Sequence, residues 1–325
     1  MRLALHARLL HPHVHAGIFT RARSARRAFC YVRAVSDTPA ADIRTDAALV
    51  ERLVAEQHPD LSGPLRLVSD GWDNQLYRLG DGLAVRVPRR EVAAHLIEHE
   101  QQMLPGIASR VSTPVPVPLR VGVPSDTFPW PWSIVAWFDG TDGASVDATA
   151  RTGLAEPLAR FVGELAVPAP DAPHNPVRGV PLASRHDAVR LRLRSLAGRM
   201  EVAALEQAWR EALDAPVWDG PPILLHGDLH PGNLLLAEDG GLAAVVDFGD
   251  VTSGDPATDL ATAWLTFDGD AREAFGRSLQ VAPDAATWLR ARGWAVTMAS
   301  ALATASDDNP RMAALARHAL AQFGE

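Results

Sequence analysis

Lysine is absent from the 325 residues, so all 31 basic side chains are arginines. Any role usually filled by a compact ammonium therefore falls to a planar guanidinium, which grips oxyanions through paired N–H donors. Cysteine is nearly absent too. Cys30 stands alone, which excludes disulfides within the chain and a multi-thiolate zinc site and fits a reducing, cytoplasmic setting. No uncharged apolar run reaches the roughly 18–20 residues needed to span a bilayer, so no membrane segment is expected. There is also no internal repeat and no heptad array, which removes solenoid and coiled-coil architectures.

The remaining composition is that of a globular protein long enough for two lobes. Its charge is unevenly placed: residues 1–36 hold seven arginines and no acid, so the net −8 divides into +7 there and −15 over the rest. An acidic body disfavours nucleic acid as a partner and draws a cationic small molecule by long-range attraction. The basic stretch has the look of a mitochondrial-type presequence. A disordered tail and a start codon placed too far upstream are its two plainer readings, and no methionine follows until Met103.

Residues 45–57 carry Leu49, Val50, Leu53 and Val54 at helical spacing behind a Thr/Asp start that can cap them. Residues 65–68, 75–79 and 83–87 are short alternating runs divided by turn residues, the pattern of an antiparallel meander. A helix is expected over 91–104, an extended segment over the prolines of 114–118, and a strand over 132–138. Helices then dominate, over 146–166, 185–197, 201–213, 257–267, 271–279, 285–305 and 312–323. The chain thus divides into an extension (1–36), a strand-rich N-lobe (37–138) and a helical C-lobe (139–325).

Inside the C-lobe, residues 223–255 interrupt the helices with three short apolar strands, 223–225, 233–236 and 243–246, whose ends carry polar residues. Strands this apolar are buried, so the residues at their ends are held on a rigid frame. Asp228, Asn233 and Asp247 stand at such ends. A carboxylate with a carboxamide offers the hard oxygen ligands that magnesium takes alongside water and substrate phosphates. Asp228 is then placed to hold and deprotonate a hydroxyl, which makes the trio a phosphoryl-transfer site. His226-Gly-Asp228-Leu-His230 also reads as half a zinc site, but no second cluster completes it, and His226 reads better as a loop brace.

His226-Gly-Asp-Leu-His-Pro-Gly-Asn233, followed by Val245-Val-Asp247-Phe-Gly249, resembles the aminoglycoside/macrolide phosphotransferase family, whose fold is similar to that of protein kinases. Gly71-Trp-Asp-Asn74, Val85-Arg-Val-Pro-Arg-Arg90, Glu100, Pro129-Trp-Pro-Trp132 and Asp255-Pro-Ala-Thr-Asp259 extend the resemblance over nearly everything past the extension. It implies an α+β, two-lobed kinase-like fold with an antiparallel N-lobe sheet and a larger, mostly helical C-lobe. It implies that Asp228 is the catalytic aspartate and that Asn233 and Asp247 hold Mg2+. Arg86 takes the position of a phosphate-contacting lysine, oriented by Glu100. The loop holding Gly71 and Asn74 lies over the nucleotide phosphates, although it is not glycine-rich, and backbone groups at Ala136 and Phe138 hold the adenine.

The implied activity is transfer of the γ-phosphoryl group of ATP or GTP to a hydroxyl of a small molecule, with an aminoglycoside or macrolide antibiotic as first choice. A metabolic kinase for an amino alcohol, sugar or homoserine-like acceptor is the alternative, as is a nucleotide-binding regulator without catalysis. Protein-kinase activity is disfavoured because no Ala-Pro-Glu segment follows Asp247-Phe-Gly249. Plainer roles are expected for Asp255 and Asp259 as loop braces and helix caps. Trp130, Trp132, Trp137, Trp264, Trp288 and Trp294 are expected in packing. Residues 190–194 (RLRLR) are expected as a solvated helix face with inward leucines. No motif marks the acceptor pocket or an oligomer contact.

Overall fold

The computed structural model describes residues 40–324, so the basic extension and its competing readings lie outside the described residues. Helix α1 (Ala47–Gln57) begins where the Asp46 side chain accepts the Leu49 N–H at 2.8 Å, and it buries the four apolar residues of its stripe. Strands β1 (Leu65–Asp70), β2 (Asn74–Leu79) and β3 (Leu83–Pro88) follow as the expected meander. Helix α2 (Glu91–Ala108) runs past Pro105 to bury Leu104 and Ile107, four residues longer than expected, because that burial outweighs the hydrogen bond the proline cannot make. Strand β4 (Pro118–Gly122), not expected as a strand, pairs with β5 (Trp132–Ala136) and completes an antiparallel sheet of order β1-β2-β3-β5-β4. Leu53, Tyr77, Val85, Val87, Trp132 and Ile134 form its core against α1.

A second core lies in the helical part. The helix expected over 146–166 divides into a 3-10 turn (Ala148–Leu154) and α3 (Ala155–Leu165). Gly153 sits there with the Gly240 carbonyl at 3.0 Å from where a Cβ would stand, and glycine is the weakest helix former apart from proline. Helices α4 (His186–Ala197) and α5 (Ala203–Asp214) follow. Short strands accompany them: β6 (Thr141–Asp142) before the 3-10 turn, and β7 (Ile223–Leu225), β8 (Leu234–Leu236), β9 (Leu242–Val245) and β10 (Thr252–Gly254) after α5. They pair as β6-β8-β9 and β10-β7, and β6 and β10 are too short to leave a sequence pattern. The helix expected over 257–267 breaks at Ala261 into α6 (Ala257–Leu260) and α7 (Thr262–Thr266). Helices α8 (Gly269–Ser278), α9 (Ala285–Thr304) and α10 (Pro310–Ala321) end the chain.

Helix α9 is the hub: it packs against α4, α5, α6, α7 and α10, so it is apolar nearly all round rather than striped. Among the described residues no helix is long and apolar enough to cross a membrane. Two packing expectations need correction. Leu191, in the run expected to turn its leucines inward, is 69% exposed while Leu193 is buried, since neighbours two apart cannot share a helix face. Trp137 is not core but half-buried, with the Arg78 guanidinium 4.5 Å from its ring centroid.

The β10–α6 corner is fastened to the hub by a buried ion pair. Arg290 donates from Nε to Asp255 Oδ2 at 2.7 Å and from Nη2 to Oδ1 at 3.2 Å, and its Nη1 reaches the Pro216 carbonyl at 2.7 Å. Removing one member of such a pair leaves a buried charge without its partner. Asp255→Ala is therefore expected to cost about 3–5 kcal/mol in urea unfolding, while the exposed Glu156→Gln leaves the midpoint where it is; a small effect at Asp255 would refute the fastening role.

Candidate active site

Arg86 stands on β3, the central strand, with Leu76 and Ser133 beside it on the flanking strands. Its guanidinium is nearly enclosed and grips the Glu100 carboxylate of α2 with two parallel bonds, Nε to Oε2 and Nη2 to Oε1, both 2.8 Å. The same Nη2 pairs with Asp247 Oδ1. A lysine could not make both Glu100 contacts in this fork geometry. Although burial opposes charge on Arg86, the carboxylates of Asp247 and Glu100 outweigh it and raise its pKa further. Glu100 is only 3% exposed, and burial pushes its carboxyl up to about 7, with Arg86 opposing and Asp247 reinforcing the rise. The carboxylate form of Glu100 thus depends on Arg86.

Asp247 follows β9 in a left-handed backbone conformation, φ 64°, which is uncommon outside glycine and concentrates at functional sites. Its side chain remains 50% exposed, so the contact with Arg86 leaves it accessible. The adjacent Val246 is held from both directions: its N–H bonds to the Asn233 carbonyl at 2.9 Å and its carbonyl accepts from His226 Nε2 at 3.0 Å.

The loop after β7 is braced from below. Both oxygens of the buried Asp259 accept backbone N–H groups, from His226 at 2.7 Å and Gly227 at 2.9 Å. Gly227 needs φ 87°, and a Cβ there would run into the Asp250 carbonyl, so only glycine fits. His226 Nδ1 accepts the Asp228 N–H at 3.2 Å while Nε2 donates to Val246, so both ring nitrogens serve the loop and neither is open to a metal. Asp255 also accepts the Ala257 N–H at 3.0 Å beneath the start of α6.

Asp228 lies between two cationic or potentially cationic side chains. Arg178 Nη2 donates to Oδ1 at 2.7 Å, and His230 Nε2 lies 3.3 Å from Oδ2. Burial raises the carboxyl, but the charges of Arg178 and His230 and their hydrogen bonds outweigh it and hold Asp228 well below the usual carboxylate range. Asn233 Nδ2 donates to the Asp228 carbonyl at 2.8 Å, which commits the amide nitrogen and leaves Oδ1 as the atom that could face a metal. A carboxamide oxygen with the accessible carboxylate of Asp247 fits the hard donor set of magnesium.

The structure thus brings Arg86, Glu100 and Asp247 into direct contact, and Asp228 with Asn233. The other four residues named from sequence lie at the turn into β2 and at the end of β5. Gly71 donates its N–H to the Asn74 carbonyl at 3.0 Å, and its own carbonyl accepts from Arg89 at 2.6 Å. Arg90 pairs with Asp73, so the acid of this loop is neutralised locally. Ala136 ends β5 opposite Leu83, and the half-buried Phe138 follows Trp137, whose N–H bonds to the Gly82 carbonyl at 2.9 Å.

Three residues at the site carried no sequence signal. Arg178 and Asn175 sit in the proline-rich link before α4, and Asn175 donates to Asp250 Oδ1 at 2.7 Å. Burial raises the Asp250 carboxyl against the charge of Arg178. The only hint was Asn175 placed to form an Asx turn, which it does with the N–H groups of Val177 and Arg178. A separate cavity of about 190 Å³, lined by Leu182, Ala212, Trp218 and the Asp255–Arg290 pair, is not bordered by Asp228, Asn233 or Asp247.

Residues 64–294 match the model of the phosphotransferase enzyme family. No curated protein sequence matches the chain. Among solved structures, the GDP complex of aminoglycoside 2'-phosphotransferase-IIIa is 18% identical, with a TM-score of 0.63 over 86% of this chain and 99% of that one. A related complex with GDP and kanamycin is 19% identical, TM-score 0.60, over 84% and 97%. The macrolide 2'-phosphotransferase of Brachybacterium faecium is 25% identical, TM-score 0.57, over 83% and 97%. Identities of 18–19% establish a shared fold.

The dependence of Glu100 on Arg86 is measurable. A carboxyl whose folded-state pKa lies above its unfolded value stabilises the fold at low pH and loses that contribution as pH rises through the folded value. Arg86→Met removes the opposing charge and raises the Glu100 carboxyl beyond its wild-type value of about 7, so the stability gap between wild type and variant is expected to stay level from pH 5 to 6.5, where both hold Glu100 protonated, and to widen above about pH 7, by up to about 1.4 kcal/mol per pH unit. Urea unfolding at pH 5, 6.5 and 8 tests this, and a constant gap would contradict it.

Proposed function

The chain belongs to the phosphotransferase enzyme family, and from that premise we propose that it transfers the γ-phosphoryl group of ATP or GTP to a hydroxyl of a small molecule. The observation that carries the reading is the Arg86–Glu100–Asp247 contact, which places a fixed cation beside an accessible carboxylate next to the loop of Asp228 and Asn233. In this reading Arg86, held by Glu100, neutralises the nucleotide phosphates. Asn233 and Asp247 hold magnesium, which when bound screens the phosphate charge and orients the phosphoryl group for in-line attack. The loop of Gly71 and Asn74 covers the phosphates, and backbone groups at Ala136 and Phe138 meet the base. A cytoplasmic setting, where ATP and GTP are supplied, suits this role.

Asp228, held so far below the ordinary range, is a weak base in the ground state. It orients the acceptor hydroxyl by accepting its hydrogen bond and takes the proton late, as the new P–O bond makes the hydroxyl acidic. Arg178 fixes the carboxylate's direction.

Similar proteins take aminoglycosides or macrolides, and kanamycin is bound in one of them; antibiotics are thus the first acceptors to assay. A metabolic kinase for another small hydroxyl compound is the second reading, favoured by Arg178, whose guanidinium on Asp228 is unsuited to a polycation. Asp228→Asn is expected to slow turnover by about 10²–10⁴-fold with nucleotide affinity nearly intact, in a nucleotide-consumption assay with Mg-ATP and Mg-GTP over an acceptor panel. Full activity in that variant would sink the role. Asp247→Ala is expected to abolish magnesium-dependent nucleotide binding, and unchanged affinity would count against it. Nucleotide binding without turnover on any acceptor would favour a regulator.

A further inference from the structure

Most enclosed arginines of this protein have a carboxylate partner: Arg86 with Glu100, Arg90 with Asp73, Arg290 with Asp255, Arg178 with Asp228. Arg151 donates to the Gly143 carbonyl instead, and Arg185 and Arg192 also lack a carboxylate. Both are half-buried, and among the described residues no carboxylate pairs with either. Arg185 Nε is buried with no acceptor, and the one bond of Arg192 is a long 3.4 Å contact from Nη1 to the Thr297 carbonyl of α9.

Their placement is ordered. Arg185 occupies the position just before α4, and Arg192 lies seven residues on, two turns along the same face and about 10 Å away. Arg178, in the link before α4, bonds Asp228. The three are close enough to act on one another: burial first, then Arg178, pushes the Arg185 guanidinium below its ordinary value, and burial, Arg185 and Arg178 do the same to Arg192. The positive end of the α4 dipole adds to this field. Partly buried like charges without a counter-ion are costly, and a bound anion offsets that cost.

We propose that Arg185 and Arg192 form an anion-binding subsite beside Asp228, so that the acceptor is a hydroxyl compound carrying a carboxylate or phosphate group. This rests on the phosphotransferase reading of Asp228. It departs from the cationic acceptor that the net charge of the whole body favours, because net charge averages over distant surface whereas Arg178, which acts on both arginines, touches Asp228 itself. Each guanidinium offers a planar fork matched to carboxylate or phosphate oxygens.

The test is calorimetric titration of the full chain, saturated with a non-hydrolysable Mg-nucleotide so that the nucleotide site is filled. Glycerate, glycerol 3-phosphate and kanamycin are the probes. Wild type is expected to bind at least one of the two anions, and which one binds tells a carboxylate acceptor from a phosphate acceptor. Arg185→Gln and Arg192→Gln are each expected to weaken that anion about tenfold, Arg185→Lys less, and the double variant to bind kanamycin more tightly than wild type. Circular dichroism of each variant confirms folding, and the Lys variant carries the test if a Gln variant fails to fold. Failure of both anions to bind wild type, or unchanged anion affinity in the variants, overturns the subsite. Mg-nucleotide affinity is measured first in the same samples. Intact nucleotide binding with no anion binding rejects the subsite alone, and absent nucleotide binding rejects the phosphotransferase reading.

Discussion

The forked contact of Arg86 with Glu100, extended to Asp247, is the constraint from which the site follows. It ties the central strand of the N-terminal sheet to α2 and both to the loop after β9. A buried ion pair is a weak source of net stability, since desolvation cancels much of the attraction, but an incomplete one is expensive. Its value here is registration. With Glu100 almost fully enclosed and Arg86 nearly so, neither side chain can turn away without stranding the other. In a chain without lysine, the fork also means that the cation which the proposed scheme offers to a nucleotide is planar and directional rather than a point charge.

A second arginine–carboxylate contact, Arg178 with Asp228, faces the first from the helical part. Between them the backbone is held by buried groups that contact no ligand in the proposed scheme: Asp259 on two N–H groups, His226 through both ring nitrogens, Asp255 on Arg290 and on α6. Reacting groups need positioning to a fraction of an ångström, and a loop can provide that only when its own backbone is bonded to the core. The left-handed residues at 227 and 247 are the points where the chain turns sharply enough to present Asp228 and Asp247.

Much of this was legible in the sequence, for reasons particular to the residues concerned. The alternation in 75–79 and 83–87 predicts β2 and β3 because one sheet face is buried there, and the spacing of Leu49, Val50, Leu53 and Val54 predicts α1 for the same reason. Asp228, Asn233 and Asp247 stood out because short apolar strands bound them. Other features left no local mark. Gly153 and its close neighbour Gly240 come together only in the fold, so the 3-10 turn before α3 is a tertiary effect. Arg178 sits in a proline-rich link with neither period nor motif, and its contact spans fifty positions. Arg192 reads as part of a solvated charged face until α4 is laid against α9, where Arg192 turns toward Thr297 and Leu191 turns out.

In the proposed scheme the site joins a nucleotide end organised by Arg86 to an acceptor end organised by the arginines of the link and α4. The two ends are independent enough that the acceptor can be wrong while the donor is right. The most direct measurement of the central claim is calorimetric titration of ATP and GTP, with and without magnesium, into wild type and Arg86→Ala. Binding of at least one nucleotide to wild type in magnesium, weakened about tenfold or more by the substitution, is the result predicted. Absence of binding to wild type, or equal affinity in both proteins, would contradict it.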